Sequence, residues 1–230
     1  MATVLITGTN RGLGLEFVKH FLQRGDAVIA TCRDSSNAPE LQALAQDNDQ
    51  LRLMNLDVSD EQSMASFAAA LGDTAVDVFV NNAGVYGPRD ANFGNVASGA
   101  WQDVMYVNAI APMLLTQLII GNLRQGSARK LVYVTSKMGS IDDNRGGGSY
   151  IYRSSKTALN SVVKSLSVDL ASEGFSVAVV HPGWVRTDMG GPNGLIDVNT
   201  SVSGMMGVID QLGPDNSGEF FNYDGSAIAW

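Results

Sequence analysis

A doubly wound parallel α/β sheet of about seven strands, with helices on both faces and all 230 residues in one domain, is predicted from three features of the chain. Short apolar runs of strand length alternate with longer stretches at helical spacing. Most of these runs are apolar at both odd and even positions, as strands buried on two faces are. Gly25, Gly72 and Gly174 stand where helical stretches stop. Strand, helix, strand repeated in this way gives right-handed crossovers and a parallel sheet covered on both sides.

Residues 3–7 form the first strand and lead through a glycine-rich turn into a helix over 13–23. The next pairs are strand 27–31 with helix 39–46, strand 51–56 with helix 61–71, and strand 76–80 with one long helix over 100–122. Strand 130–134 precedes a helix over 152–171, strand 176–180 follows it, and a seventh strand is expected over 219–223. The insert 142–149, Asp-Asp-Asn-Arg-Gly-Gly-Gly-Ser, is too short to separate domains, and the chain has no linker, tandem repeat or low-complexity tract.

The composition excludes several classes. Apolar residues at 45% and charged residues at 17% suit a folded globular chain. A net charge of −8 argues against general affinity for nucleic acid or anionic membrane surfaces. Cys32 is the sole cysteine, so an intrachain disulfide is impossible, and sulfur ligands for a structural zinc are too few; no metal site is expected. The first residues lack the basic segment and apolar run of a signal peptide, and no stretch approaches the roughly 20 apolar residues of a membrane span, so a cytoplasmic location is expected.

Chemistry is carried by a few spaced motifs. In Tyr152-Arg153-Ser154-Ser155-Lys156 the phenol and the ammonium lie one helical turn apart on a shared face. A cation there is expected to lower the tyrosine from its ordinary pKa of about 10 and to tune it as a proton donor. Tyr150 is two residues away and cannot share that face, so helical spacing selects Tyr152. Thr7-Gly8-Thr9-Asn10-Arg11-Gly12-Leu13-Gly14 follows a strand and opens a helix, a setting in which glycines admit a pyrophosphate to the helix N–H groups. Its spacing departs from the strict G-x-G-x-x-G fingerprint, and tight helix-on-sheet packing is the alternative reading of the glycines. Ser136 ends the strand before the Tyr/Lys helix. Ser140 stands close by, and spacing alone leaves both open.

Taken together, these motifs resemble the short-chain dehydrogenase/reductase family over essentially the full length. Thr7-Gly8-(x)3-Gly12-Leu13-Gly14 resembles its cofactor turn, Asn81-Asn82-Ala83-Gly84 its central-strand motif, and Ser136, Tyr152 and Lys156 its catalytic group. His181-Pro182-Gly183-Trp184-Val185-Arg186-Thr187-Asp188-Met189-Gly190 and the ending 225–230 are similar to the branch that holds the C-factor and Sniffer carbonyl reductase-like proteins. The resemblance implies a Rossmann-type fold and a carbonyl reductase. In it Tyr152 is the general acid, Lys156 lowers the tyrosine pKa and binds the nicotinamide ribose, Ser136 holds the substrate oxygen, and Asn108 supports a water relay. It further implies cofactor contacts from Gly8, Asn10, Arg11, Gly12, Leu13 and Gly14. Asp57 and Val58 are implied at the adenine, Asn82, Ala83 and Gly84 at the adenine ribose, and Pro182, Gly183, Val185 and Thr187 at the nicotinamide and pyrophosphate. A short mobile cover over 189–206 is implied as the substrate lid, with Trp184, Met189, Met205 and Met206 as apolar residues that either touch substrate or fill the core. Family members are often dimers or tetramers, so a homodimer or homotetramer is expected.

Cofactor choice turns on the end of the second strand, Thr31-Cys32-Arg33-Asp34. Arg33, with Arg11 in the glycine turn, offers guanidinium groups suited to a 2′-phosphate, which predicts NADP(H); Asp34 keeps NAD(H) open as the lesser alternative. The expected partner is a small carbonyl or alcohol substrate. A signalling or cofactor-sensing protein is the second reading. A nucleotide-sugar epimerase or dehydratase fits poorly, because 230 residues leave little room for a sugar-binding domain.

Overall fold

The computed structural model describes residues 1–230. Seven parallel strands form one sheet in the order β3-β2-β1-β4-β5-β6-β7, with β1 at Thr3–Thr7, β2 at Ala27–Cys32, β3 at Leu51–Asn55, β4 at Val78–Asn81, β5 at Lys130–Val134, β6 at Ser176–His181 and β7 at Phe220–Asn222. Alternate residues of these strands feed two cores. Val4, Ile6, Val28, Ala30, Val80, Val132 and Val180 face one side and meet Phe17, Val18 and Phe21 of α1 (Gly12–Gln23), Leu41 of α2 (Pro39–Asp47), and Val202, Met205 and Ile209 of α7 (Val198–Gln211). Leu5, Ile29, Phe79, Leu131, Tyr133, Val177 and Val179 face the other and meet Met64 and Phe67 of α3 (Glu61–Leu71), Leu115 and Ile119 of α5 (Ala111–Gln125), and Leu159 and Val163 of α6 (Tyr150–Asp169). This is the two-sided burial that the doubly apolar strand runs require.

The register between β1 and β4 pairs Val4 with Val78, Leu5 with Phe79 and Ile6 with Val80. Strand order reverses there, and a crevice opens at the carboxyl ends of the two strands. Gly25 and Gly72 adopt positive φ just after α1 and α3, at +83° and +60°, and Gly174, at +79°, closes a 3₁₀ turn (Ala171–Glu173) that follows α6, the conformation for which glycine has no steric penalty.

Two expectations are corrected. The long helix expected over 100–122 is α4 (Ser98–Met105), a π-helical turn (Tyr106–Ile110) and then α5. Pro112 has no N–H to offer the carbonyl of Asn108 four residues earlier, so the ordinary ladder opens at that turn. This helical stretch, Ser98–Gln125, is also long and apolar enough by length and composition to cross a membrane, contrary to the sequence reading. Its Leu115, Ile119 and Leu123 are fully buried against the sheet. Of the segment 189–206, expected to form a cover, the part from Val198 onward is helical, and the Asp197 carboxylate caps α7 by accepting from Thr200 N–H at 2.7 Å. Met205 and Met206 are buried core residues, while Trp184 and Met189 are exposed.

Candidate active site at the strand ends

Thr7, fully buried at the end of β1, ties the floor of the crevice. Its Oγ1 accepts from the N–H groups of Asn82 and Ala83, each at 3.0 Å. Asn82 returns its side-chain amide to the carbonyls of Thr7 and Gly8 at 2.9 and 3.0 Å. The glycine turn and the Asn-Ala-Gly turn are thus one hydrogen-bonded unit, and Asn82 acts in it as a structural clamp. Gly8 has φ +71°, and a Cβ on it would stand 2.9 Å from Ala83 Cα. A Cβ on Gly14 would lie 2.1 Å from the Gly8 carbonyl oxygen and 2.6 Å from Asn82 Nδ2.

Gly12, the remaining glycine of the turn, behaves differently. At Gly12, with φ +57°, a Cβ would meet only Thr187 Cγ2 at 3.8 Å, so space above it is open. Gly14→Ala is therefore expected to cost about 3 kcal/mol by overpacking. Gly12→Ala is expected to cost only about 1–2 kcal/mol, from its left-handed backbone. Thermal unfolding of the two variants reads the order, which is reversed if glycine is needed here only for its dihedral angles.

Arg11 caps α1 without a side-chain hydrogen bond, and no acidic residue stands in the first turn, so the positive helix end is uncompensated. Together with the open face at Gly12, this fits an anionic pyrophosphate. Asn10 is exposed and Leu13 is half-buried against the core. Arg33 is exposed after β2, and Arg11 Nη1 lies 3.0 Å from Asp188 Oδ2 in an exposed pair across the crevice. The Asp34 carboxylate is turned onto its own loop, accepting from the Ser36 hydroxyl at 2.5 Å and N–H at 3.0 Å, bonds that hold its pKa below the usual range. Asp57 likewise accepts from Ser59 N–H at 2.9 Å and the Ser59 hydroxyl at 2.6 Å, and Val58 packs at the edge of the core.

On the other side of the crevice, α6 turns Tyr152 inward at 7% exposure and leaves Tyr150 at 40%. Lys156, one turn on, is buried, and its Nζ donates to the Val134 carbonyl at 3.0 Å. A Cβ on Gly84 would lie 3.4 Å from Lys156 Nζ and 3.1 Å from Asn108 Oδ1, so these three groups share one place. Asn108, buried in the π turn, accepts from Val85 N–H at 2.9 Å and donates to the Val85 carbonyl at 2.8 Å and the Ser155 hydroxyl at 3.0 Å. The Ser136 hydroxyl accepts from Met138 N–H at 3.2 Å and lies near enough to the Tyr152 phenol to favour its ionised form. Ser140 is committed elsewhere, donating to the Ala229 carbonyl at 2.6 Å and accepting from Asp143 N–H at 3.1 Å. Of the two serines that spacing left open, Ser136 is the one beside the phenol.

Electrostatics differ from the sequence expectation. Burial pushes Tyr152 up to about 12, against the lowering bond from Ser136 and with a further small rise from Tyr86, and Lys156 is not among the groups that lower it. Burial also pulls Lys156 down to about 8. Desolvation outweighs the attraction that helical spacing suggested. At neutral pH the phenol keeps its proton and the amine remains largely charged.

The loop after β6 closes the crevice. Pro182 accepts from the Ser201 hydroxyl at 2.6 Å, Gly183 has φ +83° against Ile196 and Tyr223, and Val185 is buried in a bridge to Ile196. Thr187, opposite Gly12, accepts from Gly190 N–H at 3.1 Å. Sequence reading missed the part played by Thr7, Ser155, Asp188 and Tyr86. Thr7 stood in the quoted turn as a strand-end hydroxyl; the others carry no spacing signal, because their partners lie far away along the chain.

Comparison with known proteins agrees with this geometry. The family model for short chain dehydrogenases matches residues 2–194. C-signal of Myxococcus xanthus is 46% identical over 167 residues, which are 73% of this chain and all of that protein. The carbonyl reductase Sniffer of D. melanogaster superposes with a TM-score of 0.94 at 35% identity, covering 100% of both chains. The NADPH-bound carbonyl reductase from chicken fatty liver superposes with a TM-score of 0.94 at 34% identity, covering 100% of this chain and 94% of that one. A parallel seven-stranded sheet, a glycine turn locked to the Asn-Ala-Gly turn, and a buried serine, tyrosine and lysine on facing elements accompany these matches: the chain belongs to the short-chain dehydrogenase/reductase family, on the branch of the Sniffer-like carbonyl reductases.

Proposed function

We propose that this protein is an NADP(H)-dependent reductase of aldehydes or ketones, acting in the cytoplasm, with Tyr152 as general acid. The observation that carries the reading is a buried phenol that lies beside Ser136 and stands one helical turn from Lys156, at the mouth of a crevice floored by an open glycine turn. Gly8, Asn10, Arg11, Gly12, Leu13 and Gly14 would hold the pyrophosphate side of the cofactor. Asp57, Val58, Asn82, Ala83 and Gly84 would hold the adenosine, and Pro182, Gly183, Val185 and Thr187 the nicotinamide end. Arg33 and Arg11 favour the 2′-phosphate, since the Asp34 carboxylate is already occupied by Ser36. When bound, the cofactor supplies a hydride equivalent to the carbonyl carbon.

The chain's own groups manage the proton. Ser136 orients the substrate oxygen, and Tyr152 donates from its hydroxyl to that oxygen. Lys156, with a pKa near 8, is charged at neutral pH and replaces the phenol's lost proton through the polar group at Asn108. NADPH and NADH consumption against a panel of aldehydes, ketones, diketones and quinones tests the reading: turnover with NADPH supports it, and tight NADPH binding without any turnover defeats it. That second outcome would favour a signalling protein, a reading supported by the 46% identity to C-signal.

We also propose a homodimer or homotetramer built through α5 and α6. Ile110 before α5, Leu118 on α5 and Val168 on α6 are 44%, 44% and 67% exposed, leaving apolar side chains on those outer faces. Light scattering at working concentration is expected to give at least twice the 24.3 kDa chain mass; a monomer mass would refute the assembly.

A further inference from the structure

Tyr86 has no part in the motifs that identify the site, yet it makes the closest aromatic contact to the proposed proton donor. Its ring stacks on the Tyr152 ring with centroids 4.4 Å apart and planes 23° apart. Its hydroxyl shares a hydrogen bond of 3.1 Å with the hydroxyl of Ser149. Ser149 is the residue immediately before α6 and one of only two non-glycine residues with positive φ, at +48°. Such a conformation costs free energy and persists where surrounding contacts enforce it. Tyr86 therefore holds α6 twice, at the start of the helix and at the phenol two residues into it.

The opposite end of the same chain of contacts reaches the loop after β6. The Arg89 guanidinium carbon lies 5.1 Å from the Tyr86 ring centroid, within cation–π range. Arg89 Nη2 donates to the Met189 carbonyl at 2.8 Å and stands 3.4 Å from that of Asp188. One face of the phenol is thus covered by a side chain from the loop after β4, which is itself fastened to the loop that carries Thr187.

We infer that Tyr86 is a positioning residue for Tyr152: its ring fixes the plane of the phenol so that the hydroxyl stays beside Ser136 and points at the substrate oxygen, with Arg89 and Ser149 bracing it. The inference rests on the reductase reading for its effect on rate, and on geometry alone for the orientation of the ring. A rigidly stacked aromatic is suited to this, because a phenol has two torsions to fix and stacking restricts both. Small misplacements of a reacting group cost about 10²-fold in rate.

Tyr86→Leu keeps apolar bulk but removes the flat face; Tyr86→Phe keeps the face and loses the hydroxyl. Tyr86→Leu is expected to lower kcat by about 10- to 100-fold with KM for NADPH nearly unchanged, and Tyr86→Phe to stay within about 3-fold of the parent. A second readout needs no turnover. With ring-labelled tyrosine, and Tyr152→Phe used to assign the signal, the Tyr152 ring resonances are expected to move in Tyr86→Leu through loss of the neighbouring ring and to stay in place in Tyr86→Phe. Unmoved ring resonances in Tyr86→Leu, or equal loss of kcat in both variants, overturn the inference. If the parent protein turns over no carbonyl, the reductase reading fails by that result alone, and the ring resonances still decide whether the Tyr86 ring lies against Tyr152, the contact from which the inference is drawn.

Discussion

Tyr152→Phe is expected to lower carbonyl turnover by about 10²–10⁴-fold, the usual contribution of a positioned general acid, while NADPH binding is retained. The phenol is 7% exposed and its ring is stacked on Tyr86, so phenylalanine fills nearly the same volume and keeps the ring contacts, losing only the hydroxyl beside Ser136. The loss is then in kcat and not in folding or cofactor affinity. Single-turnover kinetics with NADPH, beside a fluorescence titration of cofactor binding, separates the two. Retained turnover would remove Tyr152 as the acid and turn attention to another donor; lost NADPH affinity would mean that the hydroxyl serves binding.

Lys156→Met is expected to act in opposite directions on activity and stability. Burial depresses the folded-state pKa of Lys156 from 10.5 to about 8, so the unfolded chain holds that proton more tightly than the folded one. For a base shifted this way the penalty is full below pH 8, shrinks as pH rises from 8 towards 10.5, and vanishes above that window. Two to three pH units correspond to about 3 kcal/mol at pH 7. Removing the hydrogen bond to the Val134 carbonyl returns about 1 kcal/mol of that gain. The variant should therefore be more stable by about 2 kcal/mol at pH 7, with Tm raised by roughly 4–8 °C for a chain of this size. The advantage should fade as pH approaches 10. Turnover should fall by about 10²-fold or more, because the phenol loses its source of a replacement proton. Melting curves at pH 7 and pH 9.5 check the sign; a lower Tm at pH 7 would show that the buried ammonium is stabilised by its surroundings instead of being tolerated for function.

The stability expected to be gained on removing Lys156 and the left-handed backbone at Ser149 fit one pattern, in which local free energy is given up around Tyr152 to hold polar groups in a dry, fixed arrangement. The same pattern explains why the sequence reading of the tyrosine pKa failed. Spacing places Lys156 beside Tyr152, but it carries no information on how much water reaches either group, and desolvation is the larger effect on both.

What the chain determined by itself was whatever is local or periodic. The strands follow from apolar runs whose two parities are both buried, the helix ends from Gly25, Gly72 and Gly174, and the choice of Tyr152 over Tyr150 from the 3.6-residue turn. The family follows from motifs whose order and internal spacing are fixed along the chain. Tertiary structure alone decided the contacts between segments far apart in sequence. Ser136 is separated from Ser140 by their partners, Tyr152 and Ala229; Asn108 sits in a π turn because Pro112 interrupts the helix and Val85 takes up its amide; Met205 and Met206 leave the supposed cover for the core because α7 packs on α1. Tyr86 reaches Tyr152 across 66 positions only when the turns after β4 and β5 are brought together by their adjacency in the sheet. Periodicity fixes which way a side chain faces on its own element, whereas hydrogen-bond partners and access of water depend on what the fold places opposite it.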